Sequence, residues 1–427
     1  MALSTINTFN PLIFSLKKKV FNLISNTVLG ETSAYSITGP CLVSCNSNGV
    51  NIAIFTQPVI NGTYYNYSIN SGVSFTHVAN NTAAGSVAPS GAKAHVQTSN
   101  IAFVFTAYSS SATSATTPGI AYSFFNNLSS NFTPVTYDSG ITAPTANYEQ
   151  VTASMDGSTI FGIHGTTYNI YRFTNISDPT VYKSDPAIVS VATGYIQSRY
   201  NAISCNYSGN ILLYSNASST TSNNLFSYNY TNNVLTYSGN CTLNSDNIIP
   251  SATSFTTGNF SGFSSVCIGQ NPNANLTYYA IWIVTKGTSN YVFVSSNVHP
   301  QYGVTFSNGG CKWTCVSTAL ADSPRAGYIQ YVNSTGWYSC GISSNNKYMF
   351  VCSNTNKVWV STDYGVTWNS IYPTGTAVNY SYYSGCFFLN TTVTPNSYGL
   401  YLGINVPDTY INSGFFMYTY NDYNWTL

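Results

Sequence analysis

Charged and imidazole side chains, the usual carriers of acid–base chemistry, are few in this 427-residue chain. The guanidinium groups are Arg172, Arg199 and Arg325, and the glutamates are Glu31 and Glu149. A glycosidase working through paired carboxylates needs two carboxyl groups facing one bond. Asp156, Asp363 and Asp422 stand in turn contexts instead, and Asp178 and Asp185 each precede a proline. His77, His95, His164 and His299 do not pair at metal-ligand spacing, and no C-x-x-C pair occurs. No metal and no cofactor is expected on these residues. No G-x-S-x-G, Walker A or H-E-x-x-H pattern is present, so no catalytic triad is nominated.

The polymer that would hold such groups is unusual. Charged residues make up 5% of it and the net charge is +1, against about 25% charged residues in an ordinary soluble domain. Nothing in this balance provides the basic footprint that nucleic acid requires. Polarity comes from Asn, Ser, Thr and 37 Tyr. Abundant β-branched and aromatic residues with little Lys and Glu favour strands, and low net charge favours assembly. The ten Cys are too few for a disulfide scaffold of this length. They read as small buried apolar side chains, with Cys311 and Cys315 open as a local bridge. No apolar run reaches the ~18 residues of a membrane-spanning helix. No secretory signal peptide is expected: the apolar run Pro11–Leu16 is short, and Lys17, Lys18 and Lys19 follow it rather than precede it.

Residues 1–35 read as an arm separate from the rest. Asn10 is a capping residue, Pro11 suits a first helical turn, and Leu12, Leu16, Val20, Leu23 and Ile24 recur at helical spacing. The expectation is a short basic amphipathic helix. Through Leu12, Leu16, Lys17, Lys18, Lys19, Val20 and Leu23 it would dock on other structural proteins of an assembly, pack on its own domain, or lie on a membrane surface.

Residues 36–427 read as repeats of one unit. Each unit begins with a small-residue strand, turns through a polar Gly- or Asn-containing hairpin, and continues in apolar strands. First strands fall near residues 41, 94, 149, 201, 263, 337 and 383. Cys45, Cys205, Cys267, Cys340 and Cys386 lie at or near their ends. Asn46–Gly49, Asp156-Gly157 and Asn206–Gly209 carry hairpin chemistry. Residues 309–335 read as an insertion. The expected fold is all-β: a seven-bladed β-propeller, with six blades as the alternative and stacked β-sandwiches as the competing architecture.

The sixth unit holds "KVWVSTDYGVTWNS", Lys357–Ser370. Asp363 suits an acceptor for turn N–H groups, Gly365 supplies a positive φ, and Trp368 is an apolar plug. Ser361, Asp363, Gly365, Thr367 and Trp368 resemble the Asp-box (BNR) motif S-x-D-x-G-x-T-W of sialidase-like propellers. Worn copies stand at Ser68–Phe75, Gly303–Phe306 and Thr419–Trp425. The resemblance implies a structural hairpin between the outer strands of a blade. Sialidases add three carboxylate-clamping arginines, a Tyr–Glu nucleophile pair and an Asp acid/base. Three scattered arginines and two glutamates do not supply that set here.

The functional expectation is therefore non-enzymatic. The chain reads as a structural or binding protein of a large assembly, a virion-associated minor capsid or surface propeller making protein–protein or glycan contacts. Divergent Asp-box propellers of this composition resemble proteins encoded by giant viruses. The expected location is a virion or extracellular particle. A glycan-binding host-attachment module and a sialidase-like hydrolase are the alternatives.

Overall fold

A computed structural model describes residues 22–24, 42–46, 48–56, 64–71, 74, 76–78, 101–106, 120–124, 133–137, 148–164, 170–175, 183–184, 202–215, 225–231, 234–240, 265–269, 271, 278–286, 289–298, 313–317, 326–329, 337–353, 358–371, 381–390, 397–405 and 415–420. Among these residues the regular structure is entirely β.

After β1 (Asn22–Ile24), the strands fall into antiparallel sheets in chain order. The first comprises β2 (Leu42–Cys45), β3 (Ile52–Thr56), β4 (Tyr64–Ser68) and β5 (Thr76–Val78). The second has β6 (Ile101–Thr106), β7 (Ile120–Phe124) and β8 (Thr133–Pro134); residues near 94, expected as its first strand, lie outside the described residues. The third has β9 (Tyr148–Ala153), β10 (Thr159–His164), β11 (Ile170–Thr174) and β12 (Lys183–Ser184). The fourth has β13 (Ala202–Cys205), β14 (Ile211–Ser215), β15 (Leu225–Thr231) and β16 (Val234–Asn240). The fifth has β17 (Ser265–Ile268), β18 (Tyr278–Lys286), β19 (Ser289–Val298) and β20 (Trp313–Cys315). The sixth has β21 (Trp337–Ile342), β22 (Met349–Ser353), β23 (Val358–Ser361) and β24 (Asn369–Ile371). The last has β25 (Ser381–Asn390), β26 (Ser397–Asn405) and β27 (Phe415–Tyr420), with β1 as its fourth strand.

Contacts between the innermost strands close a ring. β2 touches β6, β6 touches β9, and contacts run on through β13, β17, β21 and β25 back to β2. Antiparallel sheets arranged radially in this way form a β-propeller.

Strand periodicity explains the packing. Alternate side chains point to opposite faces of a sheet, so each sheet has one apolar set for each neighbour. In the fifth sheet, Val266, Ile268, Ala280, Trp282, Tyr291, Phe293 and Trp313 pack with Ala202, Ile211 and Leu213 of the fourth. The opposite parity, Cys267, Ile281, Ile283, Val292 and Val294, packs with Ile342, Met349, Val351, Trp359 and Trp368 of the sixth. The same division joins Ile120, Tyr122 and Val135 to Val151, Ala153, Ile160, Tyr171 and Phe173. A one-residue slip in any sheet would exchange the two sets.

Two expectations are corrected. Asn22–Ile24 is a strand, not helix. It pairs antiparallel with β27, with Leu23 opposite Phe416. The helical spacing of Leu16, Val20 and Leu23 is a local signal, and at Leu23 the ladder with a distant strand overrides it. Leu12, Leu16, Lys17, Lys18, Lys19 and Val20 lie outside the described residues. Within 309–335, the supposed insertion, Trp313–Cys315 is the outermost strand of the fifth sheet, paired with β19. Trp313 is fully buried at an edge-to-face contact with Trp282, their ring centroids 6.3 Å apart. Ile329 donates its N–H to the Val316 carbonyl at 2.8 Å, returning the same stretch to that sheet.

Removing residues 1–24 should lower the stability of the last sheet by about 1–2 kcal/mol, the scale of a few cross-strand pairs. Thermal unfolding followed by near-UV dichroism would show a reduced midpoint. An unchanged midpoint would show that β1 contributes nothing to closure.

Candidate functional site at the turn face

Strand alternation brings two rows of turns to one end of the ring. The inner row joins first to second strands, and the outer row joins third to fourth strands. Both are built from short polar side chains that satisfy their own backbone.

The inner turns repeat one six-residue pattern in four sheets: Asn46–Asn51, Ser154–Thr159, Asn206–Ile211 and Ser343–Tyr348. In each, the first residue's N–H donates to the carbonyl of the sixth, and the fourth residue's N–H donates to the carbonyl of the first, all at 2.9–3.1 Å. The first residue's side chain then accepts the N–H of the sixth. Asn51 donates to Asn46 Oδ1 at 3.0 Å, Thr159 to Ser154 Oγ at 3.0 Å, Ile211 to Asn206 Oδ1 at 2.9 Å, and Tyr348 to Ser343 Oγ at 3.0 Å. The third residue accepts from the fifth in three of them: Val50 to Asn48 Oδ1, Ser158 to Asp156 Oδ1 and Lys347 to Asn345 Oδ1. The fourth residue has a positive φ throughout, being Gly49, Gly157, Gly209 or Asn346. Asn is a non-glycine residue that accepts this region.

The outer turn Ser361–Trp368 is built on Asp363. Its Oδ1 accepts the Thr367 N–H at 2.8 Å and the Ser361 hydroxyl at 2.9 Å, and its Oδ2 accepts the Thr367 hydroxyl. The Gly365 N–H donates to Ser361 Oγ at 2.8 Å. Gly365 sits at φ +84°, where a Cβ would meet Val294 Cγ1 at 2.9 Å. Trp368 is buried, and its Nε1–H donates to the Gly365 carbonyl at 3.0 Å. The turn after β4 repeats this network with an amide. Asn70 Oδ1 accepts the Ser74 N–H at 3.0 Å and the Ser68 hydroxyl at 2.8 Å, and Asn70 Nδ2 donates to Ser74 Oγ at 2.8 Å.

The two rows are tied together. The fifth residue of an inner turn accepts an N–H from the outer turn of the same sheet: Ser71 to the Val50 carbonyl at 2.8 Å, Asn175 to Ser158 at 3.2 Å, and Tyr364 to Lys347 at 3.0 Å. Neighbouring sheets are joined as well. Asp156 N–H donates to the Tyr207 carbonyl at 3.1 Å, and Ser344 meets the Tyr398 hydroxyl at 3.3 Å. The Tyr279 and Tyr364 rings lie 5.6 Å apart. Sequence reasoning identifies three of the inner turns and the Asp363 turn. It misses Ser343–Tyr348, whose signal is Asn346 in place of glycine, and it misses the tie between rows.

Most polar side chains of this face bond to backbone. Apolar side chains project from it beside exposed Asn48, Asn70, Ser74, Ser208 and Thr367. The exposed large hydrophobics among the described residues are Ile69 at 62%, Val366 at 72% and Tyr364 at 45%, and all three are on the outer turns.

Behind the turns lie the inner-strand thiols. Cys205 Sγ is 3.8 Å from Thr152 Oγ1 of the preceding sheet, and Cys340 Sγ is 3.6 Å from Ser265 Oγ of its own preceding sheet. Ser204 Oγ faces the other way and accepts the Ile268 N–H of the following sheet at 3.1 Å. Burial pushes the Cys205 thiol up to about 12, opposed by its contact with Thr152. Burial likewise takes Cys267 up to about 12, opposed by its contacts with Ile342 and Ser204. Such thiols are protonated at neutral pH and are poor nucleophiles.

Of the residues weighed for catalysis, Arg172 is buried in β11 and donates from Nη2 to Thr159 Oγ1 at 3.4 Å. Glu149 lies in β9. Arg199, Arg325 and Glu31 are outside the described residues, as are Cys311, Gly303–Phe306 and Trp425. Among the described residues no group of three or more His, Cys, Asp or Glu is placed to hold a metal. No helix among them is long and apolar enough to cross a membrane.

No family model matches this chain, and no curated protein matches it in sequence. Solved structures share its fold. YCF48 bound to D1 peptide aligns over 96% of this chain and 97% of that one at TM-score 0.50 and 11% identity. YCF48 from Cyanidioschyzon merolae aligns over 90% and 96% at TM-score 0.47 and 10% identity. The complex of KlAtg21 with the coiled coil of AgAtg16 aligns over 87% and 95% at TM-score 0.45 and 11% identity. These likenesses concern the β-propeller fold.

Asp363→Ala should cost about 1–3 kcal/mol, because the Thr367 N–H and the Ser361 and Thr367 hydroxyls lose their shared acceptor. Asp363→Asn should cost under about 1 kcal/mol, because Asn70 already makes the same turn. Urea denaturation of the two variants checks the order, and equal losses would show that charge matters more than acceptor geometry. Trp368→Ala should cost about 3–5 kcal/mol.

A thiol whose folded value is raised stabilises the fold while it stays protonated. For Cys205 and Cys267 that contribution is intact below the ordinary value of 9.0 and is lost as pH rises toward 12. The melting midpoint should therefore fall between those limits, and less steeply in a Cys205→Ala/Cys267→Ala chain. Parallel curves for the two proteins would remove the thiols as the cause.

Proposed function

We propose that this chain is a non-enzymatic, seven-bladed β-propeller that serves as a structural component of a large assembly and contacts other proteins through its turn face. The observation that carries the reading is the placement of Ile69, Tyr364 and Val366, which are exposed at the tips of turns whose polar groups bond internally. A surface of this kind offers apolar area with little desolvation cost, as protein interfaces do. The 5% charged composition supports the same reading, since little repulsion opposes close packing of copies or partners.

The resemblance of Ser361–Trp368 to an Asp-box enters as a structural device. Asp363 holds the hairpin and Trp368 plugs the blade, while Asn70 stands in for the aspartate in the first blade. Buried Arg172, bonded to Thr159 within its own sheet, suits a structural role better than a substrate clamp. The assembly proposed is a virus particle, in which the chain is a minor capsid or surface protein. That part rests on composition and on the divergent Asp-box resemblance.

The test is a pair of measurements. The chain should be recovered with purified particles, and cross-links from it should map to the turn face. Ile69→Asp with Val366→Asp should change stability by no more than the ~0.5 kcal/mol typical of surface changes and should abolish incorporation. Absence from purified particles would end the virion reading. Normal incorporation of the double variant would end the assignment of the turn face.

A further inference from the structure

The inner turn of the first sheet carries the pair Asn48-Gly49. Such pairs also occur at Asn61-Gly62 and Asn308-Gly309, and the first is the one whose two residues are described. In an Asn-Gly pair the glycine nitrogen can attack the preceding side-chain amide carbon, because glycine has no Cβ to obstruct the approach. Asn48 is exposed to water. In the closed turn, however, both reacting groups are engaged. The Gly49 N–H donates to the Asn46 carbonyl at 3.0 Å, and Asn48 Oδ1 accepts the Val50 N–H at 3.1 Å. Gly49 is also held from the last sheet. Its carbonyl accepts the Tyr401 hydroxyl at 3.1 Å. The Phe388 ring lies so close to it that a Cβ on Gly49 would stand 2.3 Å from Phe388 Cδ2. Phe388 in turn stacks on Tyr401, with ring centroids 4.5 Å apart. The Gly49 nitrogen cannot swing toward Asn48 Cγ without breaking its own hydrogen bond and disturbing these contacts.

We infer that Asn48 is a spontaneous modification site, converted by water to aspartate and isoaspartate through an imide formed with Gly49, and that opening of the junction between the first and last sheets sets its rate. The Gly49 nitrogen gives its proton to hydroxide and bonds to Asn48 Cγ. The Cγ–Nδ2 bond breaks and ammonia leaves. Water then adds to one of the two imide carbonyls. Opening on one side leaves a carboxylate side chain on an unchanged backbone. Opening on the other routes the backbone through Cγ and lengthens it by a methylene. Nothing is oxidised or reduced: one amide and one water become one carboxylic acid and one ammonia. Because the closed turn engages both groups, the reaction runs from a locally opened state. The two products differ in consequence. In the third sheet Asp156 holds the same place in the turn, its Oδ1 accepting the Ser158 N–H at 2.9 Å as Asn48 Oδ1 accepts that of Val50. The ordinary aspartate therefore fits the turn. Isoaspartate lengthens a turn whose ends are tied by the Asn46–Asn51 bonds, and it moves Gly49 away from Tyr401. Opening of the junction thus leaves a lasting chemical mark that weakens the junction itself.

The experiment ages the full chain at mildly alkaline pH, folded and in denaturant. Conversion at residue 48 is followed by the amide-to-acid mass change of its peptide, and isoaspartate by enzymatic methylation. Asn48 should convert readily in denaturant, many-fold more slowly in the folded chain, and several-fold faster than that in folded Tyr401→Phe. Should Tyr401→Phe not fold, Phe388→Leu takes its place. No conversion in denaturant would overturn the site. Equal rates in the folded and denatured chains would overturn the protection, and a variant that reacts at the folded parent's rate would overturn the role of the junction. Asn48→Asp should melt with the parent, and aged chain carrying isoaspartate should melt several degrees lower. Equal midpoints for those two would overturn the effect on closure.

Discussion

A ring of sheets is only as secure as its closure. Every other junction in this propeller is backed by continuous chain, whereas the junction of β2 with β25 joins elements from opposite ends of the sequence. Among the described residues it is held by the Tyr401 hydroxyl on the Gly49 carbonyl, the Cys45 thiol on the Phe387 carbonyl and Phe388 packed against Gly49, while the ladder of β1 on β27 ties the early chain to the last sheet. If these fail, the apolar faces of two sheets meet water. Each face is one parity set of a half-buried strand, so no local rearrangement can hide it.

The turns serve the same end from another direction. Short polar side chains hold the inner hairpins in one geometry, and the carbonyl of the fifth residue fixes the outer hairpin over it. Asparagine, serine and aspartate are interchangeable here because the position needs only an oxygen acceptor at the right reach. This explains how a chain so poor in charge can still be rich in specific turns. It also separates the Asp363 turn from catalysis, since Ser361 and Thr367 take up both of its carboxylate oxygens.

Much of the fold is legible in the amino-acid sequence alone. Polar six-residue turns, cysteines at strand ends and the Asp363–Trp368 pattern are local signals, and local signals survive in a sequence. What is not legible depends on distant partners. Leu16, Val20 and Leu23 are spaced as on a helix, and only β27 makes Leu23 part of a strand. Trp313–Cys315 is too short to announce itself and is identified by the Trp282 and Phe293 rings it covers. The exposed Ile69 and Val366 are ordinary as residue types. They gain meaning from their place, at the tips of outer turns that the inner turns hold in position.

The pairing of β1 with β27 has a consequence in time. During synthesis Asn22–Ile24 emerges long before its partner Phe415–Met417 exists. Intermediate sheets can form in sequence as they appear, but the earliest strand must wait, unpaired, through the making of all the others. Contacts of this sequence separation are the slowest to form. Until β27 is made, the growing chain is an open row of sheets whose end members each leave an apolar face uncovered, the kind of surface that aggregates.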